Sequence, residues 1–123
     1  MDKKKILIIE DDQDMRRALN IRLRASNYDT CFAADGLAAI STAKKELPDM
    51  ILLDIGLPAG DGFTVLQRLQ NLAATATIPV IVLSARDPQT NKQRALDAGA
   101  LGYLQKPVDN AELLLTIQDV LVC

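Results

Sequence analysis

Histidine is absent from this chain of 123 residues, and so is tryptophan. Without an imidazole there is no histidine general base, no Ser-His or Cys-His dyad and no ordinary zinc site. Two tyrosines and two phenylalanines are the whole aromatic content, too little for a platform that stacks the bases of a single strand. Cysteine is scarce as well, since Cys31 and Cys123 are too few for a disulfide framework. No apolar run exceeds Ile6–Ile9 in length, far short of the ~18 residues that a membrane span needs. The Lys3-Lys4-Lys5 start has no apolar core of a secretory signal behind it, so a cytoplasmic chain is expected. A basic excess is also missing: 14 lysines and arginines face 16 acids, for a net charge of −2. That balance argues against direct nucleic-acid binding. What remains is carboxylate, hydroxyl and amine chemistry.

The rest of the composition is that of a globular protein, 49% hydrophobic and 24% charged. The length predicts a single domain over 1–123 with enough buried surface for a core of its own. Short apolar runs alternate with helix-period segments from end to end. Ile6–Ile9, Tyr28–Ala33, Met50–Leu53, Ile78–Leu83 and Leu101–Leu104 read as strands. Between them Met15, Leu19 and Leu23 share one helical face, as do Ile40, Ala43 and Leu47, then Val65, Leu66 and Leu69, and finally Leu113, Ile117 and Leu121. The segment 90–98 has the poorest apolar face, with only Ala95 and Leu96. Asp87-Pro88 and the pair Asp109 and Glu112 read as helix starts, and Gly99 as a helix stop. Such βα units with short connections predict an α/β fold, a parallel sheet with helices on both faces.

In an open α/β sheet, ligands bind outside the carboxyl ends of the strands. The residues that follow the apolar runs are Glu10-Asp11-Asp12, Asp54, Ser84 and Gln105-Lys106-Pro107. Carboxylates, a hydroxyl and an ammonium therefore converge at one sheet edge. One lysine cannot neutralise that many acids, so some would hold protons unless a cation joined them. All-oxygen ligands suit Mg²⁺, and metal, lysine and hydroxyl together make a clamp for a phosphoryl group. A carboxylate beside that clamp can act as nucleophile. Taken singly, each residue has a plainer reading. Asp12 or Asp35 could be a helix cap, Lys106 a solvated lysine, Ser84 a loop hydroxyl and Cys31 a small buried hydrophobe.

The sequence resembles the receiver domain of two-component response regulators, a CheY-like superfamily, over essentially its whole length. The resemblance is carried by Lys5-Ile6-Leu7-Ile8-Ile9-Glu10-Asp11-Asp12, Val80-Ile81-Val82-Leu83-Ser84-Ala85 and Tyr103-Leu104-Gln105-Lys106-Pro107. Its most specific segment is Asp54-Ile55-Gly56-Leu57-Pro58-Ala59-Gly60-Asp61-Gly62, with proline four residues after the aspartate and then Asp-Gly. The resemblance implies a flavodoxin-like (βα)5 fold with a five-stranded parallel sheet in the order 2-1-3-4-5. It implies a phosphoprotein of a phosphorelay, in which Asp54 takes a phosphoryl group from a phosphohistidine of a histidine kinase or histidine phosphotransfer protein. Mg²⁺ would be held by Asp11, Asp54 and the backbone carbonyl of Gly56, with Glu10 acting through water. Met15-Arg16 fit the family's register for Asp11, and Asp12 is the alternative ligand. Lys106 would pair with the phosphoryl oxygens, Ser84 would donate to them, and the Lys106-Pro107 bond would be cis. Ser84 and Tyr103 would relay the change to the fourth helix, fifth strand and fifth helix.

The kinase would dock on Gln13, Arg17, Asn20 and Arg24, a stripe opposite Met15 and Leu19 on the first helix. Arg22 falls on the buried face of that helix, and its stem is expected to lie flat with the charge reaching outward. Leu101-Gly102 stand where the winged-helix transcription factors of the family carry acids, and the last helix lacks basic residues. A monomer or weak dimer is expected on that ground. Two other readings compete. A phosphatase of the haloacid-dehalogenase type needs a second Asp two residues after its nucleophile, and here that position is Gly56. A degenerate receiver would lack the acceptor, the metal acids or the lysine, all of which are present. The chain is expected to be no enzyme beyond its own phosphorylation and dephosphorylation. It reads as either a stand-alone receiver or the N-terminal part of a longer regulator.

Overall fold

The apolar runs form one parallel sheet in the computed structural model, which describes residues 3–56, 62–85 and 88–122. In chain order the elements are β1 (Lys5–Ile9), α1 (Gln13–Ala25), β2 (Asp29–Ala33), α2 (Gly36–Glu46), β3 (Met50–Asp54), α3 (Gly62–Asn71), β4 (Val80–Ser84), α4 (Pro88–Asp97), β5 (Gly102–Gln105) and α5 (Asn110–Val122). The strands lie in the order β2-β1-β3-β4-β5, as the resemblance implied. Strands β1, β3 and β4 are central and must hide both faces, which is why their residues are apolar without alternation. One apolar cluster joins Leu7, Ile9, Ile51, Leu53, Val80 and Val82 to α2, α3 and Ala95 of α4. The other joins Ile6, Ile8, Met50, Leu52, Ile81 and Leu83 to α1 and α5. No helix among the described residues is long and apolar enough to cross a membrane.

The ends of the elements show where side-chain chemistry overrides pattern. Asp12 caps α1 by accepting from the amides of Asp14 and Met15 at 2.9 and 3.2 Å. Asp35 caps α2 through Ala38, and Asp109 caps α5 through Glu112. Gly99, at φ +108°, follows α4 as the expected stop. Leu47 departs from its predicted buried face: it ends α2 in the left-handed region and is 60% exposed. The fourth strand begins at Val80 rather than Ile78, because the Ile78 amide closes a turn onto Thr75 and Pro79 has no amide to donate. Cys31 is only half-buried, since β2 is an edge strand. The Arg22 head does not reach for solvent alone but donates to the Val108 carbonyl at 3.2 Å. The Lys106-Pro107 bond is cis. Leu57 to Asp61, with the Pro58 and Asp61 of the motif, the Asp87 helix start and Cys123 lie outside the described residues.

Candidate functional site

Parallel pairing brings the ends of three strands level. Asp54 of β3 stands opposite Leu83 of β4, and Ser84 stands opposite Gln105 of β5. The pairing continues one residue further, as the Ile55 amide donates to Leu83 and the Lys106 amide to Ser84. Glu10 follows β1 directly, its amide bound to the Ala33 carbonyl. Side chains from four strands thus meet at one edge. The Lys106 ammonium lies 3.0 and 3.2 Å from the two Glu10 oxygens and 3.3 Å from Asp54 Oδ2. The other Asp54 oxygen, Oδ1, accepts from the Gly56 amide at 2.9 Å. Glu10, Asp54 and Ser84 are all buried.

The crowding of acids at this edge shifts the groups that share it. Burial pushes the Glu10 carboxyl up to about 7, and the hydrogen bond and charge of Asp54 add to that against the pull of Lys106. Burial alone would lower the Lys106 ammonium, yet Glu10 and Asp54 outweigh it and hold the group above its ordinary value. Glu10, Asp11 and Asp54 each offer a carboxylate oxygen, and these lie within 4.8 Å of one another. Hard oxygen donors, one of them an acid that burial and its neighbour Asp54 keep from ionising readily, fit Mg²⁺. Asp12 is committed to its helix cap and stands outside that group.

Other candidates divide. Tyr103 pairs with Val82 and packs, half-buried, against the cluster that holds Ala95 and Ala100. Gln13, Arg17 and Arg24 are exposed on α1. Asn20 is half-buried and lines a surface concavity with Gln13 and Arg17, and its Oδ1 accepts from Thr30 Oγ1 at 2.6 Å and Arg24 Nε at 3.1 Å. Two structural partners of the site had no assigned part. Arg16, read only as a register mark, donates from Nη1 to the Glu10 carbonyl at 2.9 Å and so fixes the turn that carries the acids. Gly62 sits where an added Cβ would lie 2.2 Å from Ile55 Cα, and its amide donates to the Ile55 carbonyl. The Asp-Gly pair of the motif is the only trace of that packing in the sequence.

Comparison with known proteins agrees with this geometry. Residues 6–118 match the family model of the response regulator receiver domain. The chain is 41% identical over 117 residues to the DNA-binding dual master transcriptional regulator RpaA of Synechocystis, covering 95% of this chain and 48% of that protein. It is 35% identical over 116 residues to the response regulator PleD of Caulobacter vibrioides, covering 94% of this chain and 26% of PleD. It therefore spans between a quarter and a half of the length of these relatives. Among solved structures, the receiver domain of the Pseudomonas aeruginosa sensor histidine kinase PA1611, which has a magnesium ion in its active-site cleft, is 30% identical. It superposes with a TM-score of 0.90 over 99% of this chain and 100% of that one. Vibrio cholerae chemotaxis protein CheY4 is 28% identical, with a TM-score of 0.90 over 97% of this chain and 99% of that one. The fold, the acidic edge and a family match over nearly the whole chain agree, and the protein belongs to the response regulator receiver domains, the phosphoryl-accepting signalling switches of two-component systems.

Proposed function

We propose that Asp54 is the phosphoryl acceptor. The observation that carries this is its double fixation, one oxygen on the Gly56 amide and the other on the Lys106 ammonium, at a buried sheet edge. An Asp54 oxygen forms a bond to phosphorus, the bond from phosphorus to the donor's imidazole nitrogen breaks, and the electron pair leaves with the imidazole. Lys106 faces the charge that gathers on the phosphoryl oxygens, and Ser84 donates its hydroxyl to one of them. Asp11, Asp54 and the Gly56 carbonyl would hold Mg²⁺, with Glu10 through water and Asp12 as the alternative ligand. Bound there, Mg²⁺ supplies the positive charge that a single lysine lacks. Incubation with acetyl phosphate and Mg²⁺ should add one phosphoryl group, and peptide mapping should find it on Asp54. Its appearance on any other acid overturns the assignment.

The raised Glu10 carboxyl makes metal binding depend on pH. Between its ordinary value of 4.5 and about 7 the folded chain holds a proton that the unfolded chain releases. Without metal, this group's contribution to stability is therefore fully present below about 4.5 and is lost as pH rises toward about 7. A cation must displace this proton, so Mg²⁺ affinity should rise about tenfold from pH 6 to pH 8. Calorimetric titration at the two values measures it, and a flat profile would remove Glu10 from the metal's surroundings.

The switch reading uses the α4 side of the sheet. Buried Ser84 would move toward the phosphoryl group and Tyr103 would turn inward, shifting α4, β5 and α5. Support comes from α4, whose apolar face is poor, with Ala95 buried and Leu96 36% exposed. A charge of ~−1.5 to −2 added at Asp54 gives the two states different energies. NMR with beryllofluoride, a mimic of the phosphoryl group, should move Tyr103 and residues 90–98. Shifts confined to the pocket would end this relay.

In the cytoplasm the partner would be a histidine kinase or histidine phosphotransfer protein, docking on Gln13, Arg17, Asn20 and Arg24 of α1. Asn20, tied to Thr30, would contribute through Arg24. Arg17→Glu should slow transfer from the kinase several-fold and leave acetyl phosphate labelling as it was. Equal losses with both donors would point to misfolding instead.

A further inference from the structure

Beside the acceptor lies a second concavity of about 380 Å³, lined by Met15, Arg22, Ala85, Lys106, Pro107 and Val108. It shares Lys106 with the acidic site, and that lysine, 3.3 Å from Asp54 Oδ2, is the link between the two. Met15, Ala85, Pro107 and Val108 give it apolar walls. Its second cation is Arg22, three turns along α1 from the acids, half-buried and anchored by donation from Nη1 to the Val108 carbonyl. Among the described residues Arg22 makes no ion pair, although the protein is net acidic and Lys106 has two acidic partners. A guanidinium has five donors in a rigid fork, and one bond to Val108 leaves the fork open to a carboxylate. Apolar walls between two cations match a short chain with an anion at each end.

We infer that this concavity holds the leaving group of an acyl phosphate derived from a short dicarboxylic acid, with Arg22 binding the free carboxylate. The inference rests on Asp54 as acceptor and names a donor class for it. In the reaction an Asp54 oxygen forms a bond to phosphorus while the bond from phosphorus to the acyl carboxylate oxygen breaks. The electron pair departs with that oxygen, so the dicarboxylate leaves as its anion and no proton has to move. Arg22 touches the part of the donor that does not react, and so sets which donor is preferred.

Succinyl phosphate and butyryl phosphate are the probes, because their acyl chains have equal length and differ in the terminal carboxylate. Without a cationic subsite, the extra negative charge should make succinyl phosphate the slower donor at this acidic edge. With the subsite, it should label Asp54 about tenfold faster than butyryl phosphate at equal concentration in Mg²⁺. Arg22→Met should bring that ratio to one or below. Arg22→Lys, which keeps the charge, should retain part of the excess, and because each variant is read as a ratio of two donors a general loss of activity cancels. Succinyl phosphate no faster than butyryl phosphate, or an unchanged ratio in Arg22→Met, overturns the subsite and leaves Asp54 as acceptor. Failure of both donors to label Asp54 overturns the acceptor reading and the subsite with it.

Discussion

Asp54→Ala should take up no phosphoryl group from acetyl phosphate in Mg²⁺, while the unaltered chain should gain one. Nearby acids are expected not to substitute for it. Both Glu10 oxygens face the Lys106 ammonium, at 3.0 and 3.2 Å, and Glu10 is held mostly protonated below pH about 7. Asp11 is exposed and, among the described residues, makes no ion pair with a lysine. Losing a positioned nucleophile should reduce labelling by at least ~10³-fold, given the large effective concentrations that fixed geometry provides. Intact-mass spectrometry reads this directly. A second measurement guards against misfolding: the Glu10 carboxyl should titrate lower in the variant. Burial still raises it, but the Asp54 hydrogen bond and charge are gone while Lys106 remains. An unlabelled variant with that shifted titration is folded and lacks only its acceptor. Labelling at the original rate would place the acceptor elsewhere.

How far the sequence carried this reading depends on where each residue's partners lie. The central strands were legible because a strand hidden on both faces must be apolar throughout, as in Ile6–Ile9 and Met50–Leu53. At the sheet edges that signal weakens, and Tyr28 and Leu101 turned out to flank β2 and β5 rather than join them. The site was legible for a topological reason: parallel strands put their carboxyl ends at one edge, so Glu10, Asp54, Ser84 and Lys106 converge without any local motif joining them. Asp12 and Asp11 are chemically alike, and only the start of α1 separates a cap from a member of the acidic group. Through-space partners left no trace in pattern. Asn20 fits an exposed helical stripe by spacing, yet Thr30 on the neighbouring strand claims it. Arg16 sits at its family register, yet its work is on the Glu10 carbonyl.

Gly62→Ala should be the most destabilising small substitution near the site. The first residue of α3 lies against the backbone just past β3, and an added Cβ would stand 2.2 Å from Ile55 Cα and 2.7 Å from its carbonyl carbon and oxygen. These are backbone atoms, which cannot swing aside as a side-chain end can. Ile55 itself is fully buried, and its amide is bound to Leu83, so the sheet would have to yield as well. The Gly62 amide donates to the Ile55 carbonyl at 3.1 Å, and parting the two elements breaks that bond too. Overpacking together with a lost hydrogen bond should cost about 3 kcal/mol or more. For a chain of this size that is a fall in Tm of about 10 °C or more. Because Asp54 is held by Gly56 just beyond Ile55, acetyl phosphate labelling should slow in the same variant. Gly56→Ala is the matched comparison. Among the described residues its Cβ would meet nothing nearer than Asp54 Oδ1 at 3.4 Å, an ordinary contact at an exposed position, so its Tm should stay within a few degrees of the unaltered chain. Thermal unfolding of the two variants side by side decides the matter. Equal and small losses would show that α3 can shift to admit a methyl group, and that Gly62 does not fix the turn beside Asp54.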